Sequence, residues 1–310
     1  MSSPTDAADG GHLHAVAPPG QEIALSEALL LGALHGPAEL LPISSSGHVA
    51  VIPWLLDWDY RDVDAELRKA FEVALHAGTA AALLITLRTE VSDAVRGLSV
   101  RLVELIVLSF VPPAIVGYTL ERPIERHLGT PGTIAVGLVV GSVVMAAADR
   151  APQVRTSRDA GAADALWLGV AQACALLPGV SRNGATLAAA RRRRFTRADA
   201  NKLSRHVALP VIAGATLLKS VRLVRRGLPP RSALPIAVGA GASFASTLGS
   251  TWLIRQVERD RSLLPYAVYR VGLAAVILGR LAKRRRPPAT DRGAIVTAAA
   301  ESDPYTTMAS

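Results

Sequence analysis

The sequence predicts an all-α, polytopic integral membrane protein built from two related halves. Three observations carry that expectation. The chain is too apolar for an ordinary soluble domain of 310 residues, with 50% hydrophobic residues, 19% charged and a mean hydropathy of +0.31. It holds several apolar runs of membrane-crossing length, none with the period-2 alternation of strands. It also repeats one unusual stretch, "ELLPISSSGH" at 39–48 and "ALLPGVSRNGAT" at 175–186, each placing Leu-Leu-Pro ahead of a hydroxyl-rich, Gly-containing turn.

In chain order, residues 1–21 are rich in Gly, Pro, His and Asp without Lys or Arg, which reads as a disordered tail rather than a secretory signal. The run at 23–41 leads into the first turn. Residues 71–87 form a further apolar run carrying Glu72 and His76. Runs at 102–120, 134–148, 207–221 and 263–281 are interrupted inside only by isolated charges or a proline pair, and 165–177 leads into the second turn. Residues 233–254 contain no charge and, at about 1.5 Å rise per residue, are long enough to cross a bilayer core. Residues 287–310 read as a second disordered tail, leaving 22–286 as one membrane-embedded domain. The lone cysteine, Cys174, lies in an apolar run, where it reads as a small buried hydrophobe, and it excludes an intrachain disulfide.

The formal charge of +9 invites a nucleic-acid reading, which its distribution excludes. Basic residues crowd 88–101, 150–158, 222–231 and 280–286, just outside apolar runs, and aromatics are 4% of the chain. That is the positive-inside pattern, and it assigns those loops to the cytoplasm. The four arginines at 191–194 read as a polybasic patch beside anionic lipid headgroups.

The repeat extends upstream of both turns. "ALLLGALHGPAELLP" (28–42) and "ALWLGVAQACALLP" (165–178) share the frame A-L-x-L-G-x-x-[HQ] before Leu-Leu-Pro. His35 falls opposite Gln172 and Ser45 opposite Ser181, and the halves run over about 22–150 and 160–282. Interrupted helices in corresponding positions of two halves point to a central binding site, because non-helical backbone at membrane depth survives only in protein or against a wet cavity. Pro42 and Pro178 end helices, while Gly47, Gly179 and Gly184 permit tight turns. The helices restarting there aim free N–H groups at the turn, and with Arg182 they form an anion-seeking pocket.

Glu39, Ser44, Ser45, Ser46 and His48 lie within ten residues. A carboxylate at membrane depth is costly and points to function; oxygen ligation suits Mg²⁺ or Ca²⁺ bridging to phosphates. A serine near a histidine is a candidate nucleophile with its base, or the histidine protonates a leaving group. Arg182 offers planar, bidentate phosphate recognition. The competing readings are helix capping for the serines, snorkelling for Arg182, interior hydrogen bonding for His76 and His206, and an interfacial charge for Glu72.

The two signatures resemble those of the bacitracin-resistance type undecaprenyl pyrophosphate phosphatases. "FEVALHAGT" (71–79) and "LPYAVYRVG" (264–272), which contains Arg270, also resemble family segments. The resemblance covers most of 23–282. It implies inverted repeats, each contributing a re-entrant helical hairpin, in the bacterial inner membrane. It implies removal of the terminal phosphate from a C55 polyprenyl pyrophosphate, recycling the carrier lipid of cell-wall synthesis. Carried over by position, Glu39 matches the metal-associated acid, with Mg²⁺ the expected ion and Ca²⁺ the second choice. Ser45 matches the candidate nucleophile, His48 the catalytic histidine, and Ser181, Arg182 and Thr186 the phosphate-binding signature. Ser44, Ser46, Gly47, Gly179, Asn183 and Gly184 complete the expected substrate contacts. The route of attack, by Ser45 or by an activated water, stays open at this point.

The departures fall mainly in the metal and acid half of the site, with one in the phosphate-gripping half. His35 stands where the family carries Glu or Gln, His76 stands where it carries Gln, and Asn183 replaces a serine. Imidazole is a poor Mg²⁺ ligand and a better one for transition metals. Two other readings remain: a polyprenyl-phosphate carrier or flippase without hydrolysis, and an enzyme for a different prenyl diphosphate. His35, Glu72, His76 and Arg270 are further candidate residues, and a homodimer is the expected assembly.

Overall fold

The computed structural model describes residues 22–226, 232–259 and 262–285; the expected tails lie outside them. Among the described residues there are twelve α-helices and two 3₁₀ turns, with no strand beyond one isolated bridge between Arg155 and Phe195. Helix α1 (Leu25–Leu40) and α2 (Ser45–Leu56) form the first hairpin, and α7 (Ala162–Cys174) and α8 (Arg182–Arg192) the second. At about 1.5 Å per residue these helices are roughly 17–24 Å long, short of a hydrocarbon core of about 30 Å. Each pair therefore enters and turns back.

Between and after the hairpins run α3 (Ala65–Thr86) with α4 (Arg88–Arg96), α5 (Val100–Leu128), α6 (Pro131–Asp149), α9 (Arg197–Arg226), α10 (Ala233–Gly249) with α11 (Trp252–Arg259), and α12 (Leu264–Arg285). Three of them, α5, α6 and α12, are long and apolar enough to cross a membrane. The pairs α3–α4 and α10–α11 qualify as broken spans, bent by 68° and 50°. The uncharged run expected to be one straight span at 233–254 is thus broken: α10 ends at Gly249 and α11 starts at Trp252. Leu29, Val136, Val140, Val143, Ile115 and Val276 are among the large apolar side chains facing outward, as a lipid-embedded surface requires. Cys174 also faces outward, correcting its expected burial; the apolar run it belongs to is one face of a short helix, not a buried one.

The halves interlock. α1 packs along α10 and α7 along α5, while α6 packs on α12 and α3 on α9. The glycine shared by the repeat frame does the same work in each half. A Cβ on Gly32 would collide with the Gly239 carbonyl of α10, and one on Gly169 would lie 2.8 Å from the Ser109 carbonyl of α5. Only glycine allows those helix axes to approach so closely.

Charges close the ends. Asp149 accepts from Arg197 (3.0 Å), Ser262 (3.0 Å) and the Leu263 amide (2.9 Å), tying α6 to α9 and α12. Asp164, at the first turn of α7 where a carboxylate complements the helix dipole, accepts from Arg155 (2.7 Å) and Arg193 (2.6 Å). Arg191 is 1% exposed and donates to the Phe195, Asp149 and Ala151 carbonyls. The run at 191–194 is therefore not a uniform lipid-facing patch. Arg191 is a core strut and Arg193 an ion-pair partner, because the end of α8 abuts loop carbonyls and carboxylates that lie far off in sequence. The first hairpin ends differently, at exposed Asp57, which pairs with Arg61, Arg280 and Arg284. The Arg280 hydrogen bond leads in holding the Asp57 carboxyl below the usual aspartate range.

Candidate active site

Both turns are built around one left-handed residue. Ser44 has φ 78° and Gly179 φ 86°. Ser44 then caps α2, its hydroxyl accepting from the Gly47 amide (3.4 Å), and Ser181 caps α8, accepting from Gly184 (3.1 Å). The first intrahelical hydrogen bonds start beyond, from His48 to the Ser44 carbonyl and from Ala185 to the Ser181 carbonyl. The amides of Ser45, Ser46, Arg182 and Asn183 thus stand at the opening of two helices, where an anion is favoured.

Between the turns, Arg182 pairs with Oε1 of Glu39 while the Ser45 hydroxyl donates to Oε2. Glu39 and Arg182 are 143 residues apart, so this pair joins the two hairpins. Arg182 is therefore no snorkelling cation. A cavity of about 340 Å³ opens beside the pair. Ser44, Ser45, Ser46, Ser181 and Asn183 line it, with Glu72 and His76 on the α3 wall. Lys69 and Lys219 border it too; both approach Glu121, Lys219 at 2.7 Å and Lys69 at 4.0 Å. A smaller cavity of about 70 Å³ also borders Glu39 and Arg182, walled by Leu83, Leu87, Leu209 and Ile254.

Other expected site residues are placed differently. His48 is 1% exposed, with Nδ1 bonded to the Ser44 carbonyl (2.7 Å) and Nε2 to the Tyr269 hydroxyl (2.7 Å). A carbonyl only accepts, so Nδ1 carries the hydrogen and Nε2 accepts from Tyr269. The two rings stack with centroids 5.6 Å apart. The expected Ser45–His48 pair is not formed in this arrangement: Glu39 holds the serine and Tyr269 the histidine. Both ring nitrogens of His48 are taken by the Ser44 carbonyl and Tyr269, which leaves neither for Ser45. Thr186 faces away from the cavity, bonded to the Arg182 carbonyl (2.9 Å) and to Ser204 (2.6 Å). It locks α8 onto α9. Asn183 donates to the Leu40 carbonyl (3.0 Å) and accepts from Ser204 (3.3 Å), joining α8 to the end of α1.

Arg270, 1% exposed, donates to the Gly179 carbonyl (3.1 Å) and, at 3.4 Å, to the Pro42 and Gly137 carbonyls. It thereby ties both turns to α12. His35 is 1% exposed, its Nδ1 against Thr79 (2.9 Å) and Ser243 (3.2 Å). Its ring meets that of His76 edge-on, with centroids 4.6 Å apart. Gln172, the repeat counterpart of His35, donates to the Ser109 carbonyl (3.2 Å).

Sequence reasoning missed Tyr269, Thr79, Ser243 and Ser204. Tyr269 and Thr79 sit inside segments read as family-like, but nothing local marks either as a partner of a residue on another helix. Ser243 stands in an uncharged apolar run and Ser204 beside Arg205 and His206, so neither is marked by its sequence neighbours.

The sequence profile described as "Bacitracin resistance protein BacA" matches residues 28–276. Curated relatives named undecaprenyl-diphosphatase include one from Geobacter sulfurreducens, 39% identical over 274 residues, covering 84% of this chain and 99% of the relative. Others come from Geobacter metallireducens, 38% identical (81% and 96% covered), and Thermomicrobium roseum, 34% identical (81% and 96% covered).

Proposed function

The chain belongs to the bacitracin resistance protein BacA family, and from that premise we propose that it is a multi-pass bacterial membrane phosphatase hydrolysing undecaprenyl pyrophosphate to the monophosphate and inorganic phosphate. The observation that carries this reading is the Arg182–Glu39–Ser45 cluster at the meeting point of two re-entrant turns, beside a cavity of about 340 Å³.

The chemistry follows from these groups. The pyrophosphate enters between the turns, where the amides opening α2 and α8 and the Arg182 guanidinium receive its oxygens. Arg182 exchanges its bond to Glu39 for bonds to the terminal phosphoryl group, stabilising charge on the equatorial oxygens as the bridging P–O bond lengthens. Ser45 Oγ, its hydrogen directed at Glu39, attacks the terminal phosphorus, or a water bound in its place does so. Glu39 takes the proton, and the lipid monophosphate departs. In the serine route, water then cleaves the phosphoserine and releases inorganic phosphate. The polyprenyl tail lies along the apolar cavity walls. Retention of this acid–hydroxyl pair favours hydrolysis over simple carriage, since a carrier needs the cation alone.

A divalent cation at Glu39 belongs to the same reading. The donor set fits the expected Mg²⁺ poorly: beside Glu39 stand two imidazoles, whereas Mg²⁺ takes oxygen ligands in near-octahedral geometry. No step above is routed through a metal. We also infer a symmetric homodimer, the commonest closed assembly, to be tested by native mass spectrometry in detergent.

The test is phosphate release from undecaprenyl pyrophosphate by the detergent-purified protein beside Arg182→Ala. Release that the variant loses by about 10²-fold or more supports the reading. A folded protein that binds the lipid and releases no phosphate, with or without added divalent cations, overturns it in favour of carriage.

A further inference from the structure

His35, Glu39 and His76 bring one nitrogen from each imidazole and one carboxylate oxygen within 4.8 Å of one another. His35 and Glu39 are one turn apart on α1, and His76 reaches in from α3. The hydrogen bonds behind His35 assign its tautomer. The Ser243 hydroxyl gives its hydrogen to the Leu75 carbonyl (2.9 Å), and Thr247 gives its own to the Ser243 carbonyl (2.7 Å). Thr79 has acceptors in Ser243 (2.8 Å) and Thr247 (3.2 Å) for its one hydrogen. Each hydroxyl hydrogen near Nδ1 thus has an acceptor other than the imidazole, and with Thr79 bonded to Ser243 or Thr247 it is Nδ1 that donates. Nε2 is left as a bare lone pair, buried and without a hydrogen-bond partner. An unmatched buried acceptor is costly, whereas an imidazole fixed through one nitrogen and bare at the other is how histidines present themselves to metals.

We propose that His35, Glu39 and His76 form a binding site for a transition-series divalent ion of the Zn²⁺ class, in place of Mg²⁺. Two imidazoles and one carboxylate are a three-ligand set that leaves a fourth position open. Glu39 and His76 line the large cavity, so the open position faces the space between the turns. Tetrahedral ligation with bonds of about 2.1 Å places ligand atoms about 3.4 Å apart, so the three groups close by little over an ångström. Glu39 need not release Arg182 or Ser45, because each carboxylate oxygen has a second lone pair. The proposal rests on the phosphatase reading for what the ion faces, and on the geometry of the three side chains for the ion itself.

The experiment uses full-length protein purified without a polyhistidine tag, with His12 and His14 replaced by Gln in every arm so that the N-terminal segment adds no ligands. After chelation and dialysis, bound Zn²⁺, Co²⁺ and Mg²⁺ are measured by elemental mass spectrometry, and Co²⁺ by its visible absorption. About one Zn²⁺ or Co²⁺ per chain is expected, undisturbed by millimolar Mg²⁺. His35→Gln and His76→Gln should each weaken binding about 100-fold or more, and His35→Glu should shift preference toward Mg²⁺. Thermal unfolding confirms that each variant is folded. Zn²⁺ binding unchanged by both Gln variants, or free exchange with Mg²⁺, overturns the site. Phosphate release is followed in the same samples. A protein that binds Zn²⁺ as expected but releases no phosphate keeps the site and loses the phosphatase reading; one that hydrolyses without binding does the reverse.

Discussion

The two hairpins carry the same turn and are held in different ways. The second, α7–α8, is pinned at its far end by buried charges, with Arg191 inside the protein and Asp164 between Arg155 and Arg193. The first, α1–α2, ends at exposed Asp57, and its interior polar contacts run sideways to α3, α10 and α12 through His35 and His48. The second presents one cation, Arg182, on a stiff frame. The first presents the acid, the hydroxyl and the imidazoles, the residue types that metal and proton chemistry use. At the matched position Gln172 braces a carbonyl of α5 and keeps its Oε1 unpartnered, a neutral amide where the first half offers the unpartnered Nε2 of an imidazole. Sequence symmetry here does not mean chemical symmetry: in the proposed mechanism one jaw grips and the other reacts.

That contrast can be broken or sharpened. Arg182→Lys keeps the charge but removes the planar fork, and should lower kcat/KM by about 10²-fold with thermal stability unchanged. A milder loss would mean that the helix N-termini do most of the gripping. Arg191→Ala should destabilise the second hairpin by about 3–5 kcal/mol, since it leaves the Phe195, Asp149 and Ala151 carbonyls without their buried donor. Unfolding in detergent measures this, and a value near that of a surface pair would remove the claim of a stiffer frame. Gly32→Ala and Gly169→Ala should each cost about 1–3 kcal/mol and by similar amounts, because the same repeat position meets a neighbouring helix backbone in both halves. Unequal costs would show that the repeats have diverged in packing as well as chemistry. Tyr269→Phe should have the smallest effect, about 0.5–1.5 kcal/mol of stability from one hydrogen bond, with activity close to that of the parent. A large fall in kcat alone would return His48 to the proton path.

The hairpin helices, their turns and the residues clustered there could be read from local pattern. Apolar runs leading into a turn, Leu-Leu-Pro as a stop, and a hydroxyl or glycine at the restart are all local signals, and they led to Glu39, Ser45 and Arg182. The reading failed where a partner lies far along the chain. Ser45 and His48 are three residues apart yet bond to Glu39 and to Tyr269, the latter 221 residues from His48. Arg191 stands in a run of four arginines whose composition suggests a surface, but loop carbonyls near residue 150 enclose it. Thr186 belongs to a phosphate-binding signature, and its hydroxyl turned out to point at Ser204 on the next helix.

The sequence by itself determined that this chain is helical, membrane-embedded and built from two copies of a broken-helix unit. Hydropathy, proline and glycine act over a few residues and need no partner to take effect. Tertiary structure alone decided which copy packs on which helix, which hydroxyl meets which carboxylate, and which nitrogen of His35 is left bare. Those outcomes depend on side chains 143 or 208 residues apart meeting within hydrogen-bond distance. Directional interactions of that range follow the relative placement of whole helices, which no local window contains.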